Sequence, residues 1–187
     1  YIYKIIYKKM IFNLAIIGFG VIGVETLHGI KKILLKKKPR YKNKINIVII
    51  EKNLKNIPGG VAYSKENSKF GYFNNPLRLS HEEFITWFNL KDNKKRLIDF
   101  SKNNTSYNLG KWVKNNENIL KKKYKDYKEI YLPRLVYSFY LKDKIFQFLN
   151  IKKKMNISLR IYKGETKQFE INKNYNIFPV KLFEEIT

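Results

Sequence analysis

Gly18-Phe19-Gly20-Val21-Ile22-Gly23 stands directly behind a short apolar run and directly ahead of an apolar pattern of helical spacing. That setting for GxGxxG restricts the chain to very few folds. From Phe12 the run through Leu14, Ala15, Ile16 and Ile17 suits a parallel strand buried on both faces. Val24 through about Lys37 carries Val24, Leu27, Ile30 and Leu34 on one helical face and closes in lysines, which suit a helix C-terminus. Within a strand, glycine turn and helix, Gly18 allows the tight turn and Gly20 lets backbone approach a pyrophosphate. Gly23 lets helix and strand pack closely. The free N–H groups at the helix start then face phosphate oxygens. His28 reads as a helix residue at the packing margin. Gly29 costs about 1 kcal/mol of helix propensity against alanine, with no functional reason in the sequence.

A second buried strand is expected over Ile45 to Ile50, ending in Glu51 and Lys52. A carboxylate at that strand end accepts hydrogen bonds from an adenosine ribose. Glu51 lies beyond the usual interval of ~20 residues after the glycines, so Lys36 to Lys44 must form a longer basic connection. Together these features predict a dinucleotide-binding βαβ unit. The alternative is a glycine turn that only packs a crossover, with Glu51 an ordinary exposed strand end.

The 187 residues suit one domain with a real core. It is expected over 10–187, with 1–9 an upstream extension because Met10 immediately precedes the motif region. The formal charge of +24 invites nucleic acid as a partner. The lysines are scattered, however, and runs such as Lys121 to Lys125 flank apolar segments as solvated faces do. No nucleic-acid motif accompanies them, so no specific nucleic-acid partner is expected. Cysteine is absent, which excludes disulfides, CxxC redox chemistry and thiolate metal sites within this stretch. The two histidines, His28 and His81, form no metal-ligand spacing. No apolar run reaches the ~20 residues that span a bilayer, and no signal-peptide pattern occurs. A cytoplasmic protein without a membrane partner is expected.

Beyond Glu51 the chain reads Pro58-Gly59-Gly60-Val61-Ala62-Tyr63-Ser64, then Phe70-Gly71-Tyr72-Phe73-Asn74-Asn75-Pro76-Leu77-Arg78-Leu79-Ser80. Later comes Leu132-Pro133-Arg134-Leu135-Val136-Tyr137-Ser138-Phe139-Tyr140-Leu141, in which Ser138 replaces a usual glycine. In this fixed order, from Leu14 to Leu149, the chain resembles the FAD/NAD(P)-binding domain family of flavin-dependent oxidoreductases, with its urate hydroxylase-like and aspartate N-hydroxylase-like members. The resemblance implies an α/β fold: a Rossmann-like domain with a parallel sheet, a helical insertion and a C-terminal β-meander. It implies FAD as cofactor, NAD(P)H as electron donor and a small-molecule substrate. It assigns Gly18, Gly20, Gly23 and Glu51 to the adenosine diphosphate portion, makes Gly59 and Gly60 a close-approach loop, and puts Asn74 and Arg78 near the cofactor and Arg134 near the FAD phosphates; Phe19, Val21, Ile22 and Lys52 complete the cofactor-binding set. Read from the residues alone, Gly59-Gly60 is equally a positive-φ turn, Asn74 a turn cap and Arg134 a solvent-facing helix start.

Ser80 with Glu83 fits a capping box ahead of a helix that buries Phe84, Trp87 and Phe88 on one face. Residues 91–130, polar and lysine-rich, read as a helical insertion or a loosely ordered excursion. Leu135, Phe139, Lys142 and Phe146, with Ile145 and Leu149 beside them, trace a further helix face. Ile157 to Tyr162, Lys167 to Ile171 and Asn176 to Leu182 alternate as strands, separated by Gly164 and an Asn-Lys-Asn turn. A second GxGxxG and a substrate domain are missing, so the domain is expected to be incomplete at its C-terminus. No acid–base constellation marks a catalytic residue. Two alternatives stand beside the flavoprotein: a noncatalytic or degenerate nucleotide-binding module, and an NAD-dependent dehydrogenase without flavin.

Overall fold

The computed structural model describes residues 11–37, 44–122, 124–152, 154–166, 170–171, 176–177 and 180–186. The chain divides into two compact units, one of 1–54 with 144–187 and one of 55–143.

In the first unit, β1 (Ile11–Ile17) leads through the glycine turn into α1 (Val21–Lys37) and then β2 (Lys44–Glu51). After α6 (Arg134–Lys152), whose last residues lie in this unit, come β3 (Ile157–Thr166), the short β4 (Glu170–Ile171) and β5 (Asn176–Ile177), and β6 (Val180–Ile186). The sheet order is β1-β2-β3-β6. β1, β2 and β3 are parallel, with Ile16 beside Ile49 and Ile49 beside Ile161. β6 runs antiparallel to β3, and β4 and β5 form a separate antiparallel pair. This is the expected α/β class with a parallel sheet.

β2 shows why its sequence makes a strand. Its Ile45, Ile47 and Ile49 alternate onto one face and are buried, and Ile50 on the other face is buried too. Such β-branched residues pack well on a pleated surface. In α1, Val24 and Leu27 are each 1% exposed. Burial of an aliphatic side chain of this kind contributes roughly 1.5–3 kcal/mol. His28 is buried as well. A Cβ at Gly29 would meet nothing within 4 Å. Gly29→Ala is therefore expected to raise stability by about 0.5–1 kcal/mol, read by urea denaturation, because alanine restricts the unfolded chain and fills only open space.

Three expectations are corrected here. β1 is not buried on both faces: Ile16 is buried, while Phe12, Leu14, Ala15 and Ile17 are exposed. The sheet order leaves β1 at an edge among the described residues, and an apolar run cannot say which strands flank it. Gly164 does not separate strands; it lies inside β3 where the pairing register shifts, as glycines at bulges do. The face traced along α6 also differs: Phe146 is 63% exposed whereas Lys144 is 3% and Phe148 0% exposed. Apolar and polar residues are mixed around the helix, so periodicity did not select the covered side. Lys144 is buried with its Nζ bonded to Glu25 of α1. Of the basic connection Lys36 to Lys44, residues 38–43 lie outside the described residues, as do Lys167 and the Asn-Lys-Asn turn at 172–174.

The second unit holds α2 (Gly60–Tyr63), α3 (Glu82–Asn89), α4 (Lys91–Lys102), α5 (Asn108–Leu120) and the first residues of α6. The insertion over 91–130 is thus helical. Phe84 and Phe88 are fully buried and Trp87 is 7% exposed, as expected. The Phe84 ring lies 5.0 Å from Tyr137 and 5.2 Å from Tyr140, centroid to centroid. Edge-to-face pairs at such distances add about 0.5–1.5 kcal/mol each beyond area burial. Asp143 accepts from Trp87 Nε1 at 2.7 Å and receives both Arg96 Nη1 and Nη2, at 2.9 and 2.7 Å. The N-cap of α3 is a correction: it is His81, whose Nδ1 accepts from Phe84 N–H at 3.2 Å, while Ser80 closes the preceding 3₁₀ turn. An imidazole one residue on does the work that the capping-box pattern gave to a hydroxyl. Among the described residues no helix is long and apolar enough to cross a membrane.

Candidate dinucleotide-binding site

The turn after β1 is shaped by two glycines in different ways. Gly18 has φ +81°, a left-handed backbone that a side chain disfavours, and its N–H donates to Ile50 of β2 at 2.8 Å. At Gly23 space decides: a Cβ there would lie 2.4 Å from the Gly18 carbonyl oxygen and 3.1 Å from Phe19 Cδ2. The first turn of α1 can therefore sit on the turn that precedes it only because residue 23 lacks a side chain.

At the start of α1 the Val24 N–H donates to the Gly20 carbonyl at 3.1 Å. The N–H groups of Val21, Ile22 and Gly23 precede it, and the start of a helix carries partial positive charge. Beside them opens a groove of about 470 Å³ lined by Ala15 to Gly18, Gly20 to Gly23 and Thr26. Phe19, the one motif residue outside that lining, is buried at 1% exposure.

Glu51 stands at the end of β2 as the sequence placed it, and it holds the turn in shape. Its Oε2 accepts the Phe19 N–H at 2.7 Å and its Oε1 accepts the Asn53 N–H at 3.0 Å. A carboxylate offers about four acceptor positions, so these two bonds fix its direction and leave capacity for a diol. Lys52 points elsewhere: 75% exposed, it pairs with Glu165 of β3 at 2.7 Å, and the Glu165 hydrogen bond, then its charge, raise the Lys52 ammonium above the ordinary lysine value.

The remaining sequence candidates belong to the second unit. Gly59 and Gly60 both have positive φ, at 105° and 66°, and a Cβ on Gly59 would strike Tyr63 at 2.7 Å. The paired glycines thus make the turn into α2. Asn74 and Arg134 are brought together: Arg134 Nε donates to the Tyr72 carbonyl at 2.9 Å and its Nη2 to Asn74 Oδ1 at 3.4 Å. Gly71 makes room for this, since a Cβ there would meet Arg134 Cδ at 2.8 Å. Arg78 faces Glu129, Nε to Oε2 at 2.9 Å, in an exposed pair.

Sequence reasoning missed Thr26 and the Ala15–Ile17 wall of the groove. Thr26 follows Ile22 by four residues, and its hydroxyl donates to the Ile22 carbonyl at 2.9 Å. The i,i+4 spacing was the available signal. The Glu51–Phe19 bond joins residues 32 apart and had no local signal.

Parallel strands joined through a glycine turn and helix, with helix-start N–H groups at an open groove and an anchored carboxylate at the next strand end, define a dinucleotide-binding α/β domain. The chain belongs to the FAD-NAD(P)-binding family, whose model matches residues 15–176. No curated protein and no solved structure matches it.

Proposed function

We propose that the chain is the FAD-binding domain of a flavin-dependent NAD(P)H oxidoreductase, a monooxygenase acting on a small molecule. The observation that carries the binding reading is the anchored Glu51 carboxylate beside the open glycine groove. The donor set fits the ligand: backbone N–H groups of Val21 to Gly23 for a diphosphate, and the free acceptor positions of Glu51 for the adenosine ribose hydroxyls. FAD, when bound, supplies electron transfer between nicotinamide and oxygen. Gly18 and Gly23 hold the turn closed, Gly20 admits the phosphates, and Glu51 orients both turn and ribose. FAD is favoured over NAD by the sequence likeness of the Gly59–Tyr63 and Asn74–Pro76 segments to the flavoprotein pattern. On that same likeness Gly60, Asn74, Arg78 and Arg134 are proposed as further cofactor contacts.

The test compares the chain with Gly20→Asp, which puts bulk and negative charge where the diphosphate must approach. FAD fluorescence on titration with protein should change for the wild type and not for the variant, with far-UV circular dichroism showing both folded. Wild-type FAD affinity in a folded Gly20→Asp chain would sink the assignment. Adding NADH or NADPH to the FAD-loaded protein and following bleaching of the flavin absorbance then tests the electron-donor reading.

A further inference from the structure

In the second unit, a cavity of about 100 Å³ is lined by Lys65, Phe100, Leu135, Ser138, Phe139 and Lys142. Leu135, Ser138, Phe139 and Lys142 fall at helical i, i+3, i+4, i+7 spacing on α6, so one helix face presents a hydroxyl and an ammonium amid apolar side chains. One water needs about 10–15 Å³ of such space, so the cavity has room for a small polyatomic ion.

We propose that this cavity is a site for a single phosphate dianion, free or as the end group of a small phosphomonoester, held between the Lys65 and Lys142 ammonium groups with the Ser138 hydroxyl available as a further donor.

Charge and burial support it together. Lys142 is half-buried, and neither it nor Lys65 makes an ion pair among the described residues. Burial first, then the positive charges of Lys65 and Arg96, pull the Lys142 ammonium below the ordinary lysine value. The adjacent carboxylate, Asp143, is engaged by Arg96 and Trp87. The fold thus keeps like charges close around a partly apolar space. A dianion relieves that repulsion, and lysines serve phosphate as point charges. The site stands independently of the FAD reading, since every residue in it lies within 55–143.

The experiment is calorimetric titration of the full chain with inorganic phosphate and, separately, glycerol phosphate, in chloride buffer at fixed ionic strength. Lys65→Met/Lys142→Met should weaken binding by about 100-fold, the loss of two charge-assisted hydrogen bonds. Lys111→Met/Lys114→Met, which removes the same charge from exposed positions of α5, should leave it unchanged. Lys65 is itself exposed, so Lys65→Met alone keeps the fold and should weaken binding by about tenfold. Binding of phosphate alone assigns the free ion, and binding of both assigns the phosphomonoester end group. Absence of binding to the wild type, or equal affinity in the wild type and Lys65→Met, overturns the proposal.

Discussion

Gly23→Ala is expected to destabilise the first unit by roughly 3 kcal/mol, at the upper end of overpacking costs, and to weaken ADP or FAD binding by more than about 100-fold. A Cβ 2.4 Å from the Gly18 carbonyl oxygen forces the first turn of α1 away from the glycine turn, because the obstacle is backbone and cannot rotate aside. That movement displaces the Val21 to Gly23 N–H groups and strains the Phe19 N–H bond to Glu51. Gly29→Ala is the internal control. Both substitutions add one methyl group to the same helix, six residues apart, yet one meets backbone and the other open space, so their effects carry opposite signs. Urea denaturation and ADP titration of the two variants test this. A Gly23→Ala chain as stable as wild type, with wild-type affinity, would show that helix and turn do not pack as described.

The second large effect is at Glu25. Lys144 is 3% exposed by side chain and bonded to Glu25, which is 33% exposed. Removing one partner of a buried ion pair costs ~3–5 kcal/mol. The partial exposure of Glu25 lets water reach the ammonium, so Glu25→Ala is expected at the low end, about 3 kcal/mol. Replacing both partners, as in Glu25→Leu/Lys144→Met, should recover most of that loss because the desolvation cost disappears with the charges. Chemical denaturation of the two single variants and the double variant supplies the coupling energy. Additive losses in the cycle would show that the two groups do not act as a pair.

What the sequence made legible was local. Gly18 to Gly23, the apolar run before it, the helical spacing after it and Glu51 at the next strand end each announce themselves within a few residues, and all took their expected places. What stayed hidden depended on distant chain. An Ile-rich strand reads as central whether or not a neighbour covers it, so the exposure of Phe12 and Leu14 was invisible. A helix with apolar and polar residues mixed around it does not declare its buried side, and a lysine at position 144 is the last residue periodicity would bury. His81 displaced Ser80 as the cap of α3 because its ring also reaches the Tyr137 hydroxyl, 3.0 Å from Nε2, a contact 56 residues away. Gly110 had no motif at all, yet a Cβ there would lie 2.4 Å from the Asn104 carbonyl oxygen, which is how α5 seats on the loop after α4.

The most direct test of the central claim is calorimetric titration of the wild-type chain with FAD, ADP and NAD at moderate salt. Tight FAD binding with weaker ADP binding, only modestly sensitive to salt, is the predicted result, since backbone N–H groups and Glu51 release few counterions compared with a lysine-rich contact to nucleic acid. A folded chain that binds none of the three ligands, or NAD alone, would contradict the assignment of this site to FAD.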